Sequence, residues 1–244
     1  MKKSMIVIYL FMVFIGSGCS NYSKINPNKP MYISKKDRIG FLIEASDGIN
    51  FIHKWPEIEK KYQFNWSPQN DAEIILRKSI QAKWINLRQE NFNAEDLLTL
   101  FKKQNGKYVV NNINLYQVLI NKLYLKAIVA LRHESELLQH GEMFYVDKPS
   151  LVSLSALGLK RYYAISTYNY YLLDLANPSM YRIPSEHNTL LYNSIYSSYS
   201  EKSGFKEPRN MHNITEEELS PVRRSFIEMF TSATNSLGLA IKRY

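Results

Sequence analysis

Apolar and polar positions along this chain recur with two periods, and each predicts a different element. Residues 38–44 (RIGFLIE) form a short apolar run with polar ends, the pattern of a buried strand. Asp47-Gly48 would turn the chain, and residues 49–53 would return as its hairpin partner. Ser67-Pro68 marks a helix start, with Ser as cap and Pro at the first helical position. Ala72, Ile75, Leu76 and Ser79 then share one face. Residues 84–87 make a short strand. Asn93 would cap a helix carrying Leu97, Leu98, Leu100 and Phe101, which Asn105-Gly106 would end. A third helix is predicted over 112–122, with Leu115, Val118 and Leu119 inward. Residues 125–131 (LKAIVAL) suit either a helix or a central strand, and β-branched Ile128 and Val129 favour the strand.

The second half is richer in strand signals. Residues 161–175 (RYYAISTYNYYLLDL) are dense in Tyr, Ile and Thr, Asn177-Pro178-Ser179 supplies a turn, and 180–183 return. Residues 200–213 are polar and read as a loop. Thr215 and Glu218 fit a capping box, and Ser220-Pro221 is expected to open the clearest helix. Val222, Phe226, Met229, Phe230, Ala233, Leu237, Ala240 and Ile241 recur at three- and four-residue steps as one apolar stripe. These elements predict an α+β domain over 37–244, α/β-like in its first half. It would be a mixed sheet with helices packed on it, one face covered by the long C-terminal amphipathic helix.

The N-terminus follows another logic. Lys2 and Lys3 precede an unbroken apolar run, residues 5–15 (MIVIYLFMVFI), then Gly16-Ser17-Gly18 and Cys19. That is the layout of a secretory signal. A helix of this run rises only about 16 Å, against roughly 30 Å of bilayer core. Residues 15–19 (IGSGC) resemble the lipobox of bacterial lipoproteins, with Gly16 where that family usually has Leu. The resemblance implies that residues 1–18 are removed, that the Cys19 thiol is lipidated, and that Cys19 becomes residue one. By the same resemblance, Ser20 in place of an Asp favours the outer membrane in a Gram-negative cell, and the cell membrane otherwise. Cys19 is also the only cysteine in the chain, as suits an exported protein without disulfides. Residues 19–36, rich in Ser, Asn, Lys and Pro, read as a lipidated Cys followed by a flexible tether.

Composition narrows the chemistry. With 244 residues, 45% hydrophobic, the chain can bury a sizeable core, which excludes a collagen-like or wholly disordered protein. The formal charge of +9 falls by two once Lys2 and Lys3 are removed. The basic residues lie in scattered pairs, such as Lys60-Lys61, Lys102-Lys103 and Arg223-Arg224, so nucleic acid is not expected as a partner. A soft affinity for anionic lipid or glycan fits better, and Lys24, Lys29, Lys35 and Lys36 on the tether suit either an anionic membrane surface or a solvated linker that they only keep soluble.

Glycines 40, 48, 106, 141, 158, 204 and 238 are too far apart for a P-loop or a dinucleotide fingerprint, and G-x-S-x-G is absent. The histidines are His53, His133, His140, His187 and His212. The run His133-Glu134-Ser135-Glu136 with His140 lacks the one-turn spacing of a zinc helix, so no metal or cofactor is predicted. Carboxylate pairs such as Glu57/Glu59 give no sign of facing each other across a sugar. The 18 tyrosines stand out. On a strand, Tyr162, Tyr168 and Tyr170 point one way while Tyr163 and Tyr171 point the other. If exposed, that row would stack on envelope glycan; if covered by a helix, it is core.

The resulting expectation is a lipid-anchored component of the bacterial cell envelope with a non-enzymatic binding or assembly role, its partner an envelope glycan or protein. Two alternatives stand beside it: an envelope hydrolase acting on glycan or ester bonds, and an accessory subunit of a secretion or surface-structure apparatus docked through the terminal helix.

Overall fold

The computed structural model describes residues 31–44, 49–55, 58–64, 66–133, 136–139, 143–146, 150–156, 159–165, 168–184, 188–193, 205 and 214–243. In chain order these form β1 (Met31–Ile33), β2 (Arg38–Ile43), β3 (Ile49–Trp55), β4 (Ile58–Phe64), α1 (Pro68–Ser79), β5 (Lys83–Asn86) and α2 (Ala94–Leu98). Next come β6 (Phe101–Gln104), β7 (Lys107–Val110) and α3 (Ile113–Gln117), which widens into a π-type turn at Val118–Lys122. Then follow β8 (Leu125–His133), β9 (Glu136–Gln139), β10 (Met143–Val146), β11 (Ser150–Ala156), β12 (Leu159–Ile165), β13 (Tyr168–Asp174), β14 (Ser179–Pro184) and β15 (Asn188–Asn193). The chain closes with α4 (Glu216–Ala240) and β16 (Ile241–Arg243). This is an α+β fold.

Two five-stranded mixed sheets carry it, ordered β14-β13-β8-β2-β5 and β15-β12-β11-β3-β4. The orders correspond strand by strand. β2 leads to β3, β12 to β13, and β14 to β15, while β8 and β11 hold the same place in their sheets. Directions agree in three of the four pairings: β2 is parallel to β8 as β3 is to β11, and the next two pairings in each sheet are antiparallel, whereas the edge strand β5 is parallel to β2 and β4 antiparallel to β3. The second sheet thus repeats the column order of the first. This corrects the expected hairpin of residues 38–44 with 49–53. Both edges of β2 are occupied, by β8 and β5, so β3 pairs with β11 and β4. The ambiguous stretch at 125–131 is a strand, central to the first sheet and buried throughout except at Lys126.

The alternation of faces also survives the change of sheet. Ile39, Phe41 and Ile43 of β2 and Phe51 of β3 enter one core, as do Tyr162 and Ala164 of β12 with Tyr168, Tyr170 and Leu172 of β13. Helices α1 and α4 close it, through Ala72 and Leu76 and through Val222, Phe226, Met229, Phe230, Ala233 and Leu237. The opposite face of the first sheet, with Leu42, Ile128, Ala130, Tyr171 and Leu173, packs on Leu97, Leu100, Phe101 and Leu119. A smaller cluster of Ile52, Val152, Tyr163 and Ile165 lies on the opposite face of the second sheet.

Local chemistry explains the helix ends. Ser67 is extended before Pro68, but its side chain makes no cap hydrogen bond, so the expected Ser cap does not form; the start rests on Pro68 and on Asp71 in the first turn, with Arg77 and Lys78 in the last. Asn93 caps α2, its Oδ1 accepting from the Asp96 amide at 2.8 Å. That helix stops at Leu98, short of the predicted end. Asn105-Gly106 instead turns the β6–β7 hairpin, with φ of +50° and +78°, the positive pair a type I′ turn needs. The Thr215–Glu218 capping box forms: the Glu218 amide donates to Thr215 Oγ1 at 3.3 Å, and the Thr215 amide donates to Glu218 Oε2 at 2.9 Å. Helix α4 therefore starts at Glu216, a turn before Ser220-Pro221, and Pro221 lies inside it. Ile241, expected to end the stripe, leaves the helix for β16.

The stretch predicted as tether has a structured end. Met31–Ile33 pairs in parallel with Ile241–Arg243, and Ile33 is buried in the main core. The anchor, residues 1–30, the Asp47-Gly48 turn and the 200–213 loop apart from Phe205 lie outside the described residues.

Gly40 shows how tightly the first sheet is packed. A Cβ there would lie 2.7 Å from Leu87 Cδ1 and 2.9 Å from Leu125 Cδ1, and both leucines are buried. Gly40→Val should destabilise the domain by about 1–3 kcal/mol through overpacking. Urea denaturation of the two proteins checks this.

Candidate functional site

The tyrosine row comes first because it carried the glycan expectation. Tyr162, Tyr168 and Tyr170 do share one face, but that face is buried completely. The Tyr168 ring lies 5.6 Å from Phe230 of α4, and Tyr162 lies 5.0 Å from Phe205. Thr234 Oγ1 donates to the Tyr170 hydroxyl at 3.2 Å. The stacking platform is thus corrected to core: the apolar stripe of α4 needed a face to cover, and this aromatic face was the match. Burial pushes the Tyr170 phenol up to about 12, with Thr234 opposing the rise. The terminal helix likewise offers no docking stripe, since Val222, Phe226, Met229, Phe230 and Leu237 are all inside.

A clasp joins the two core helices at the surface. Arg223 of α4 donates from Nε and Nη2 to the two Asp71 oxygens of α1, each at 3.1 Å. Trp66 Nε1 also donates to Asp71, at 3.2 Å, and the Trp66 ring lies 5.4 Å from Phe226. The hydrogen bond and charge of Asp71 raise the Arg223 pKa above its ordinary value. Arg223 is exposed, so the pair locks geometry more than it adds stability.

The surface features concentrate at the end of the first sheet where β2 and β8 begin. Here the Ser34–Asp37 turn leads from β1 into β2, the Ser34 amide donating to Asp37 Oδ2 at 2.7 Å. Lys126 Nζ of β8 donates to the same oxygen at 2.8 Å. Burial pulls the Asp37 carboxyl upward, but the Lys126 hydrogen bond, the Ser34 amide and the Lys126 charge outweigh it. The net result is a pKa below the ordinary carboxylate value. The Lys83 amide of β5 donates to the Asp37 carbonyl at 3.1 Å.

Beside this turn, just before β8, Tyr124 stands out. It is 68% exposed and holds a φ of +55°, a left-handed conformation that is uncommon for a bulky residue. It borders a shallow, open groove with Asn114, Gln117, Val118, Asn121 and Lys122. Ile113 and Val118 are exposed too, so Val118 does not point inward as predicted. Buried Leu119 and Leu123 are one helical turn apart, and Val118 falls off that face. The sequence signal for this surface was the pair of apolar positions, Ile113 and Tyr124, that the predicted inward stripe leaves over.

The histidine run is not helical: His133 ends β8, Glu136 starts β9, and Glu134 and His140 lie outside the described residues. Among the described residues, no group of three His, Cys, Asp or Glu is placed to hold a metal ion. No helix among them is long and apolar enough to cross a membrane. Cys19 lies outside them.

No protein-family model matches the chain, and no curated protein matches it. Among solved structures it is similar to a dodecamer of a PelC variant from Paraburkholderia phytofirmans. That similarity has 10% identity and a TM-score of 0.24, over 80% of this chain and 93% of that one. A likeness this weak determines neither fold nor role.

The buried phenol gives a pH test. A Tyr pKa raised from 10.0 to about 12 on folding adds stability that is full below pH 10 and is lost as pH rises toward 12. Tyr170→Phe should cost about 1 kcal/mol at neutral pH. It should also flatten the fall in stability across that alkaline window, as measured by denaturation at a series of pH values.

Proposed function

We propose that this protein is a lipid-anchored component of the bacterial cell envelope with a non-enzymatic binding or assembly role. The observation that carries the reading is Cys19, the only cysteine of the chain, standing after a signal-like apolar run and three small residues. The tertiary structure supplies a compatible support. The chain enters the domain at β1, which is zipped to β16 behind the longest helix, so a pull on the anchor meets a paired strand. Residues 20–30 separate Cys19 from Met31, so the domain would stand within roughly 40 Å of the lipid. The outer membrane is favoured by Ser20 if the cell has one.

The buried tyrosines and the α4 stripe are occupied within the protein, so neither is offered as the binding surface. Anchoring is tested with Cys19→Ser in cells fed a labelled fatty acid. The wild type should incorporate label and sediment with membranes, and the variant should lose both. Label and sedimentation retained in the variant would refute the reading.

A further inference from the structure

The groove and the turn beside it share one end of the domain, and their composition is not that of an ordinary polar surface. Lys35 and Lys36 lie in the turn between β1 and β2, Lys83 opens β5 next to Arg38, and Lys122 lines the groove. All four lysines are exposed. The carboxylates placed here are engaged: Asp37 with Lys126 and the Ser34 amide, and Asp174 with the amides of Ala176 and Asn177. Arg38 pairs with Leu125 across β2 and β8, which puts Tyr124 within one residue of the row where β1 delivers the chain. β1, which follows residues 20–30 in sequence, runs into the turn at this end.

We propose that this end, with Lys35, Lys36, Lys83, Lys122 and Tyr124, rests on an anionic phospholipid surface. The proposal rests on the lipid anchor at Cys19 for its orientation. Three observations select a membrane as the occupant. With Cys19 anchored, the 11 residues between it and Met31 would keep β1, and the turn it runs into, within roughly 40 Å of the lipid. Among the described residues, the exposed charge at this end is cationic, complementary to anionic headgroups. Tyr124 is an amphipathic ring held outward by a strained backbone, and aromatic rings of this kind favour the headgroup level. Ile113 and Val118 add apolar surface beside it. The contact would orient the domain and leave the other end of β5, where Glu90 follows, away from the lipid.

The test uses the lipidated chain in vesicles containing brominated phosphatidylglycerol. Lipidation consumes the Cys19 thiol, so an added cysteine is the single labelling site. A fluorophore at Asn121→Cys should be quenched, and one at Glu90→Cys should not. Combined Lys35→Glu, Lys36→Glu, Lys83→Glu and Lys122→Glu should abolish the quenching at residue 121, and phosphatidylcholine vesicles should fail to produce it. Equal quenching at both sites, or quenching indifferent to the charge reversals, overturns the proposal. A response at residue 121 to purified envelope glycan but not to lipid overturns it as well, in favour of a glycan surface. Failure of the anchor is read separately, as a reactive thiol at Cys19 in the purified chain. In that event the unlipidated Cys19→Ser chain decides the matter. It should partition onto phosphatidylglycerol vesicles, and Lys122→Gln should weaken that partitioning about fivefold. Partitioning unchanged by Lys122→Gln, or absent, overturns the footprint irrespective of the lipid.

Discussion

Side-chain alternation carried across the gap between two sheets is the constraint on which this fold depends. Tyr162 and Ala164 leave the second sheet on one face, and Tyr168, Tyr170 and Leu172 continue that face on the first. Because the period is two, a slip of one residue between β12 and β13 would turn one set away from the other. Held in phase, both sheets present one apolar surface, and a single helix can close it. Helix α4 does so with Phe226, Met229, Phe230, Ala233 and Leu237. The polar atoms caught in that closure are matched, as the Thr234–Tyr170 hydrogen bond shows.

That closure divides the surface of the protein. The longest amphipathic element and the densest aromatic segment are spent on each other, so neither remains as a recognition surface. On the other face of the first sheet, short pieces do the covering: α2, the β6–β7 hairpin, and α3 with its wider turn. Short elements cannot hide every apolar side chain, and Ile113, Val118 and Tyr124 stay in solvent. Strain collects at the same place, where α3 must give way to a central strand within two residues and Tyr124 takes a left-handed conformation. The described surface at this end combines exposed aromatic, aliphatic and cationic groups beside the turn through which the chain enters.

Much of this was readable one element at a time. Pro68, Asn93 and the Thr215–Glu218 pair announced helix starts because such signals act within a few residues, while Ser67 proved to make no side-chain cap. The stripe of α4 and the alternation in β12 and β13 were visible for the same reason. Errors came where a local signal has two meanings. Asn105-Gly106 serves a helix end or a type I′ hairpin equally well, and the choice depended on whether Phe101 would be drawn into the core as a strand. The pairing of β3 was illegible because it was decided by which edges β2 had left open. The exposed tyrosine that matters at the surface, Tyr124, lay outside the cluster that attracted attention.

Sequence by itself determined the kind and the inward face of the long elements and the α+β class. These depend on interactions between residues a few positions apart, or on linear patterns. Tertiary structure alone decided that two sheets share one column order, that the tyrosine row is covered, and that β1 is tied to β16. It also decided that lysines from three separate segments gather beside Tyr124. Those outcomes turn on which apolar faces found each other across long stretches of chain, and hydrophobic burial, being non-directional, leaves no mark of its partner in either strand alone.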